Sequence, residues 1–119
     1  MTTVRTFTPT SPLDPAAEYA RAQLFFDSRA YTDAARILRD LVDQEPRNLS
    51  VRLLLARSYY HSAQLWRAEA ELHRILEQDP AESYARLMLG RTLQRQSRPD
   101  EARPHLRLAA AMADDATQS

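Results

Sequence analysis

The sequence has no cysteine, no lysine and a single glycine, Gly90, and its β-branched aliphatic residues number five: Val4, Ile37, Val42, Val51 and Ile75. Without cysteine there are no disulfides, thiolate metal sites or cysteine nucleophiles. A lone glycine cannot build the glycine-rich loop that cradles phosphates. So few β-branched residues cannot furnish a sheet. An excess of one charge is missing too, since 16 basic and 16 acidic residues cancel, whereas nucleic-acid and membrane-surface binders usually carry a basic surplus. The opening residues Met1 to Pro9 lack the apolar centre of a signal peptide, and no apolar run approaches the ~18 residues that span a bilayer. A cytoplasmic protein is expected, with no cofactor, no metal, no nucleic acid and no membrane among its partners.

Alanine, leucine, arginine and glutamate dominate from position 16 onward, and they favour helix. The 119 residues suffice for one domain with a core. Residues 1–14 differ, with five threonines and two prolines, and read as a flexible leader. Asp14-Pro15 then reads as a helix start, an acceptor for first-turn amides followed by a proline at the first helical position.

An internal repeat organises the rest. Pro46 and Pro80 stand 34 residues apart, preceded by Asp43-Gln44-Glu45 and Glu77-Gln78-Asp79. The same step aligns Ala22 with Ala56 and Gly90, Phe25 with Tyr59 and Leu93, Ala34 with Ala68 and Ala102, and Leu38 with Leu72 and Leu106. These residues resemble three tandem tetratricopeptide repeats (TPRs) over 15–48, 49–82 and 83–114, followed by a tail at 115–119. The third departs from the pattern with Leu93 at the aromatic position and Asp114 at the proline position. In all three, the tryptophan usual at the fourth place is replaced, by Glu18, Arg52 and Arg86.

The resemblance implies an all-α solenoid of three helix-turn-helix hairpins, six antiparallel helices in a right-handed superhelix. Helices are expected near 16–28, 32–44, 50–62, 66–78, 83–96 and 100–112. Pro104, near the first turn of the sixth, is expected to cost little. Small residues such as Ala56 and Ala68 let paired backbones approach, and three stacked units are about the minimum that buries a core.

No residues converge on catalysis. His61, His73 and His105 lack metal-pair spacing and a nearby nucleophile, and read as solvent-facing helix residues. Acids near helix starts complement the macrodipole. Arg36–Asp40, Arg39–Asp43, Arg67–Glu71 and Glu82–Arg86 are spaced for helical ion pairs. Arg57, Arg91 and Arg95 have no acid three or four residues away. The protein is therefore expected not to be an enzyme.

By the resemblance, the first helix of each hairpin lines a concave groove. That face takes Tyr19, Gln23, Phe26 and Asp27 from the first repeat, and Ser50, Leu53, Leu54, Arg57, Tyr60 and His61 from the second. The third adds Tyr84, Leu87, Met88, Arg91, Gln94 and Arg95. The family's clamp for a terminal carboxylate uses lysine, asparagine and arginine, and the corresponding positions here hold Tyr19, Gln23, Leu54, Tyr84 and Met88. An apolar groove with an arginine rung instead suits a partner-protein segment, peptide or amphipathic helix, that carries hydrophobic anchors and acids. Such a module would serve as an adaptor or small chaperone. The alternative is a structural module that self-associates, as a homodimer for example, through its C-terminal helix, where Leu108 and Met112 form an apolar stripe in place of Arg74 and Gln78. Val4, Phe7 and Leu13 of the leader are further candidates to occupy the groove.

Overall fold

A computed structural model describes residues 14–118. Six helices follow one another: α1 Pro15–Asp27, α2 Tyr31–Gln44, α3 Leu49–His61, α4 Leu65–Gln78, α5 Ser83–Arg95 and α6 Pro99–Gln118. Each packs on the next, which makes a row of three hairpins with no strand among the described residues. The leader expected over 1–14 lies outside the described residues except for Asp14. That residue caps α1, its carboxylate accepting from the Ala16 amide at 3.3 Å, and Pro15 occupies the first turn. Asn48 caps α3 in the same way through the Val51 amide at 3.2 Å.

The turn inside each hairpin is built three times alike. Arg29, Ala63 and Ser97, 34 residues apart, have φ of 64°, 62° and 61°. This left-handed conformation closes each first helix: the next residue's amide, from Ala30, Gln64 or Arg98, reaches back to the carbonyl of Phe25, Tyr59 or Leu93. Glycine is the usual occupant of such a C-cap, and each side chain there costs ~1–2 kcal/mol in strain. The only glycine is spent elsewhere. A Cβ on Gly90 would lie 2.5 Å from Cδ2 of Leu106, so Gly90 lets α6 settle closer on α5 than an alanine would.

Ala22, Ala34, Ala56, Ala68 and Ala102 are fully buried where paired helices meet, and Leu38, Leu55, Leu72 and Leu89 fill the space between them. Burying each such leucine contributes ~1.5–3 kcal/mol. Tyr60 packs against both halves of this core and joins them.

The arginines that replace the usual tryptophan act as staples. Arg52 donates to the carbonyl of Pro46 at 3.2 Å and to Glu71 at 2.6 Å. Arg86, one repeat later, donates to the carbonyl of Pro80 at 3.0 Å and to Nδ1 of His105 at 3.3 Å. Each ties the loop before its repeat to the second helix of that repeat. The first repeat has Glu18 there, which bridges Arg21 at 3.1 Å instead.

Two expectations about charge and length change. None of the four i,i+4 pairs occurs among the ion pairs of the described residues: Arg36 bridges Asp33, Arg67 donates to Gln64, and Glu71 and Arg86 serve the staples. The sixth helix runs to Gln118 rather than 112, taking in residues assigned to a tail. The alanine-rich stretch 109–113 propagates helix and no glycine or proline follows to stop it. Pro104 is the sixth residue of α6, beyond the orphan amides of the first turn. One intrahelical bond is therefore missing, and the carbonyl left over belongs to the exposed Asp100.

Candidate interaction faces

The inner face is carried by α1, α3 and α5. Arg57, on α3, lies 4.7 Å from the centre of the Phe26 ring on α1, and Arg95, on α5, lies 4.5 Å from that of Tyr60 on α3. The second and third repeats thus each lay a guanidinium over an aromatic ring of the repeat before, a contact worth ~0.5–2 kcal/mol. Arg95 also donates to the Tyr60 carbonyl at 2.7 Å. His61 stands between these rungs, stacked on Tyr31 at 4.8 Å and edge-on to Phe26 and Tyr60. Loss of water around the ring, reinforced by the charges of Arg57 and Arg95, pulls the His61 pKa below its usual 6.5. The ring is partly screened by its aromatic neighbours while its edge stays exposed.

The predicted groove residues divide by depth. Tyr19, Phe26, Leu53, Arg57, Tyr60 and Leu87 are half-buried along the face, and Gln23, Asp27, Ser50, His61, Tyr84, Arg91, Gln94 and Arg95 are exposed. Leu54 and Met88, expected in the groove, are 5% and 8% exposed and belong to the core. Both sit one residue past a half-buried leucine, so the helix turns them under the face. Tyr31, at the start of α2, was missed; the apolar Leu65 at its register position in α4 was the available signal. At the near end, a cavity of about 330 Å³ is lined by Tyr19 and Ser50 together with Pro15, Glu45 and Asn48.

Arg57, Arg91 and Arg95 make no ion pair among the described residues, while Arg21, Arg36, Arg52, Arg98 and Arg103 each do. The buried Nε of Arg57 has no hydrogen-bond partner. The leader residues Val4, Phe7 and Leu13, named as possible occupants, lie outside the described residues.

The outer face is carried by α2, α4 and α6. Between α4 and the start of α6 lies a cavity of about 510 Å³, lined by Trp66, Glu69, Ala70, His73 and Arg98. Glu69 accepts from Arg98 at 2.7 Å and from Gln96 at 3.0 Å. Burial alone would push this carboxyl up, but the Arg98 and Gln96 hydrogen bonds and the Arg98 and His73 charges bring it below the usual range. Leu108 is 45% exposed and Met112 half-buried. Their counterparts Arg74 and Gln78 face the preceding repeat: Arg74 lines the cleft between α2 and α4, and Gln78 donates to the Pro46 carbonyl. Leu108 and Met112 hold the corresponding positions on α6.

A tetratricopeptide repeat profile matches residues 25–89, more than half of the chain. The chain belongs to the tetratricopeptide repeat family. Solved TPR structures share its fold. A MamA fragment from Desulfovibrio magneticus RS-1 superposes with a TM-score of 0.79 at 20% identity, over 84% of this chain and 56% of that one. MamA of AMB-1 gives 0.82 at 18% identity, over 86% and 60%. The second TPR domain of Spaghetti (RPAP3), solved with the HSP90 peptide SRMEEVD, gives 0.77 at 17% identity, over 82% and 91%. The chain thus spans 56% and 60% of the two MamA chains but nearly all of the RPAP3 domain. No curated protein matches the sequence. As a TPR protein the chain is a protein-interaction module, and no described helix is long and apolar enough to cross a membrane.

Proposed function

We propose that the α1–α3–α5 face is a groove that binds a segment of a partner protein, and that the protein is a non-catalytic adaptor or small chaperone of the cytoplasm. The observation that carries this reading is Arg57 and Arg95, each laid over a half-buried aromatic ring with no carboxylate partner, together with the exposed Arg91, which makes no ion pair among the described residues either. A guanidinium left unpaired against an apolar wall suits an incoming carboxylate, and the charge-assisted contact contributes ~1.5–3 kcal/mol. The occupant is a peptide or amphipathic helix whose apolar anchors alternate with Asp or Glu. The peptide in the RPAP3 complex, SRMEEVD, has that acidic character. With Leu54 and Met88 in the core and Tyr19, Gln23 and Tyr84 at the other clamp positions, recognition here rests on side-chain acids rather than a terminal carboxylate.

Selection from a random-peptide display library, followed by calorimetry, tests this. Selected peptides are expected to interleave Asp or Glu with apolar residues. Arg57→Ala/Arg91→Ala and Tyr60→Ala/Tyr84→Ala are each expected to weaken binding about tenfold or more, or ~1.4 kcal/mol, with the circular dichroism spectrum unchanged. Unchanged affinity in both double variants, with peptide-induced NMR shifts on α2, α4 and α6, removes the groove.

A further inference from the structure

His61 sits where the two arginine rungs of the inner face meet, and the charges that act on it are positive. Its ring stacks on Tyr31 of α2 at 4.8 Å and meets Phe26 of α1 and Tyr60 of α3 edge-on at 5.7 and 5.4 Å. Arg57 of α3 covers that same Phe26, and Arg95 of α5 covers that same Tyr60. The charges of both guanidiniums reach the imidazole. No carboxylate among the described residues opposes them there. Asp33 of α2 is held by Arg36, and Asp27, at the end of α1, is exposed and does not act on the ring. His61 is itself exposed, and neither ring nitrogen has a hydrogen-bond partner among the described residues. Repeat register puts Asp27, His61 and Arg95 at one place on α1, α3 and α5. The middle member of that row is the one whose side chain changes charge near neutral pH.

We propose that His61 takes up a proton when an acidic segment enters the groove, and becomes a third cationic contact between Arg57 and Arg95. This rests on the groove reading above and gives that groove a proton-linked preference for acids. In the empty groove, two neighbouring guanidiniums and the loss of water between aromatic rings disfavour a further positive charge. An incoming carboxylate answers the guanidiniums and adds an attraction of its own, so the electrostatic balance at the imidazole reverses. A proton then moves from solvent to the ring as the complex forms. The free ring is largely neutral above its lowered pKa, below 6.5, and the bound ring keeps its proton to higher pH. Affinity therefore rises as pH falls. Each unit by which binding raises the pKa strengthens the complex about tenfold at pH below both values.

The probe is an end-blocked peptide that sets two glutamates among leucines and serines, with its glutamine counterpart as the control. From pH 7.5 to 5.5, above the range in which its glutamates titrate, the peptide is expected to bind ~3–10-fold tighter. The NMR titration of the His61 ring is expected to move to higher pH in the complex. Calorimetry in two buffers of different ionisation enthalpy is expected to show proton uptake. The glutamine peptide is expected to show neither. His61→Gln is expected to remove the pH dependence and leave the weaker affinity. His61→Arg, which installs the residue that α5 carries at this register, is expected to remove it and leave the tighter one. Binding of the glutamate peptide with a flat pH profile and an unmoved His61 titration overturns the proposal and leaves the groove reading standing. A pH dependence that persists in His61→Gln overturns it as well, because another group then takes the proton. Failure of this peptide and of every display-selected peptide to bind the inner face overturns both.

Discussion

The second and third repeats hold an arginine at the same place and surround it differently. Arg52 is 5% exposed and bonds a carboxylate, Glu71, at 2.6 Å, whereas the half-buried Arg86 bonds an imidazole, His105, at 3.3 Å. Both also hold a loop carbonyl, from Pro46 or Pro80, so the backbone half of the staple is constant and the side-chain half varies. A guanidinium only donates, so Nδ1 of His105 must accept and the ring is the neutral Nε2–H tautomer. Burial first, then the charges of Arg86 and His73, push the His105 pKa below 6.5. One staple is a buried ion pair, the other a neutral hydrogen bond exposed to titration. The position of the cation follows from the loop, and its strength and pH dependence follow from one residue of the facing helix.

Breaking the staples one at a time gives the largest effect. Arg52→Ala leaves Glu71, only 19% exposed, without its partner. Loss of one member of such a pair costs ~3–5 kcal/mol, and the residual exposure of Glu71 places the expectation near the lower bound. Arg86→Ala leaves a neutral ring that needs no counterion and is expected to cost ~1–2 kcal/mol. Urea denaturation of the two variants checks the order, and equal losses would refute the distinction between them.

A smaller effect is expected from converting one staple into the other. Glu71→His gives the second repeat the chemistry of the third and replaces a charged hydrogen bond by a neutral one. The expected loss is ~1–2 kcal/mol, measured at pH 7.5, where the new imidazole is neutral. No loss would mean that the Pro46 carbonyl alone satisfies Arg52.

The smallest expected effect is in the pH dependence. His61 and His105 both have pKa values below 6.5 in the folded chain, so between that value and their folded values the unfolded chain binds more protons. Their contribution is complete above about pH 6.5 and is lost as pH falls through the folded values. The melting temperature is expected to drop modestly between pH 7.5 and 5.5, above the range in which Glu69 and Glu101 titrate. His105→Gln shrinks the drop, and Glu71→His enlarges it. A flat profile in the parent chain would show that neither ring is held neutral by the fold.

Much of this was legible in the chain, and the unread parts share a cause. The step of 34 residues located the hairpins because small and large side chains must recur wherever identical layers meet, as Ala22, Ala56 and Gly90 do. Arg57, Arg91 and Arg95 have no acid within a helical turn, and they make no ion pair among the described residues. The helical ion pairs failed as a forecast because periodicity sees only one helix. Glu71 goes to Arg52, 19 residues away, rather than to Arg67. His61, His73 and His105 looked unrelated by register, yet His73 lies close enough to His105 to depress its pKa. Leu54 and Met88 were placed in the groove by a pattern that does not resolve a helix's rotation by one residue.

By itself, the sequence determined what depends on local spacing: an all-α chain, three hairpins, the helix start at Asp14, and the family. Backbone propensity and the recurrence of small residues act within a helix or between neighbours one repeat apart, and both can be read from one dimension. Tertiary structure decided the partners across helices, namely the staples of Arg52 and Arg86 and the stacking of Tyr31 on His61. Those depend on the rotation of each helix about its axis and on the angle between hairpins. Such quantities are set by the packing of the whole solenoid, because a rotation of one residue, about 100°, turns a groove side chain into a core one.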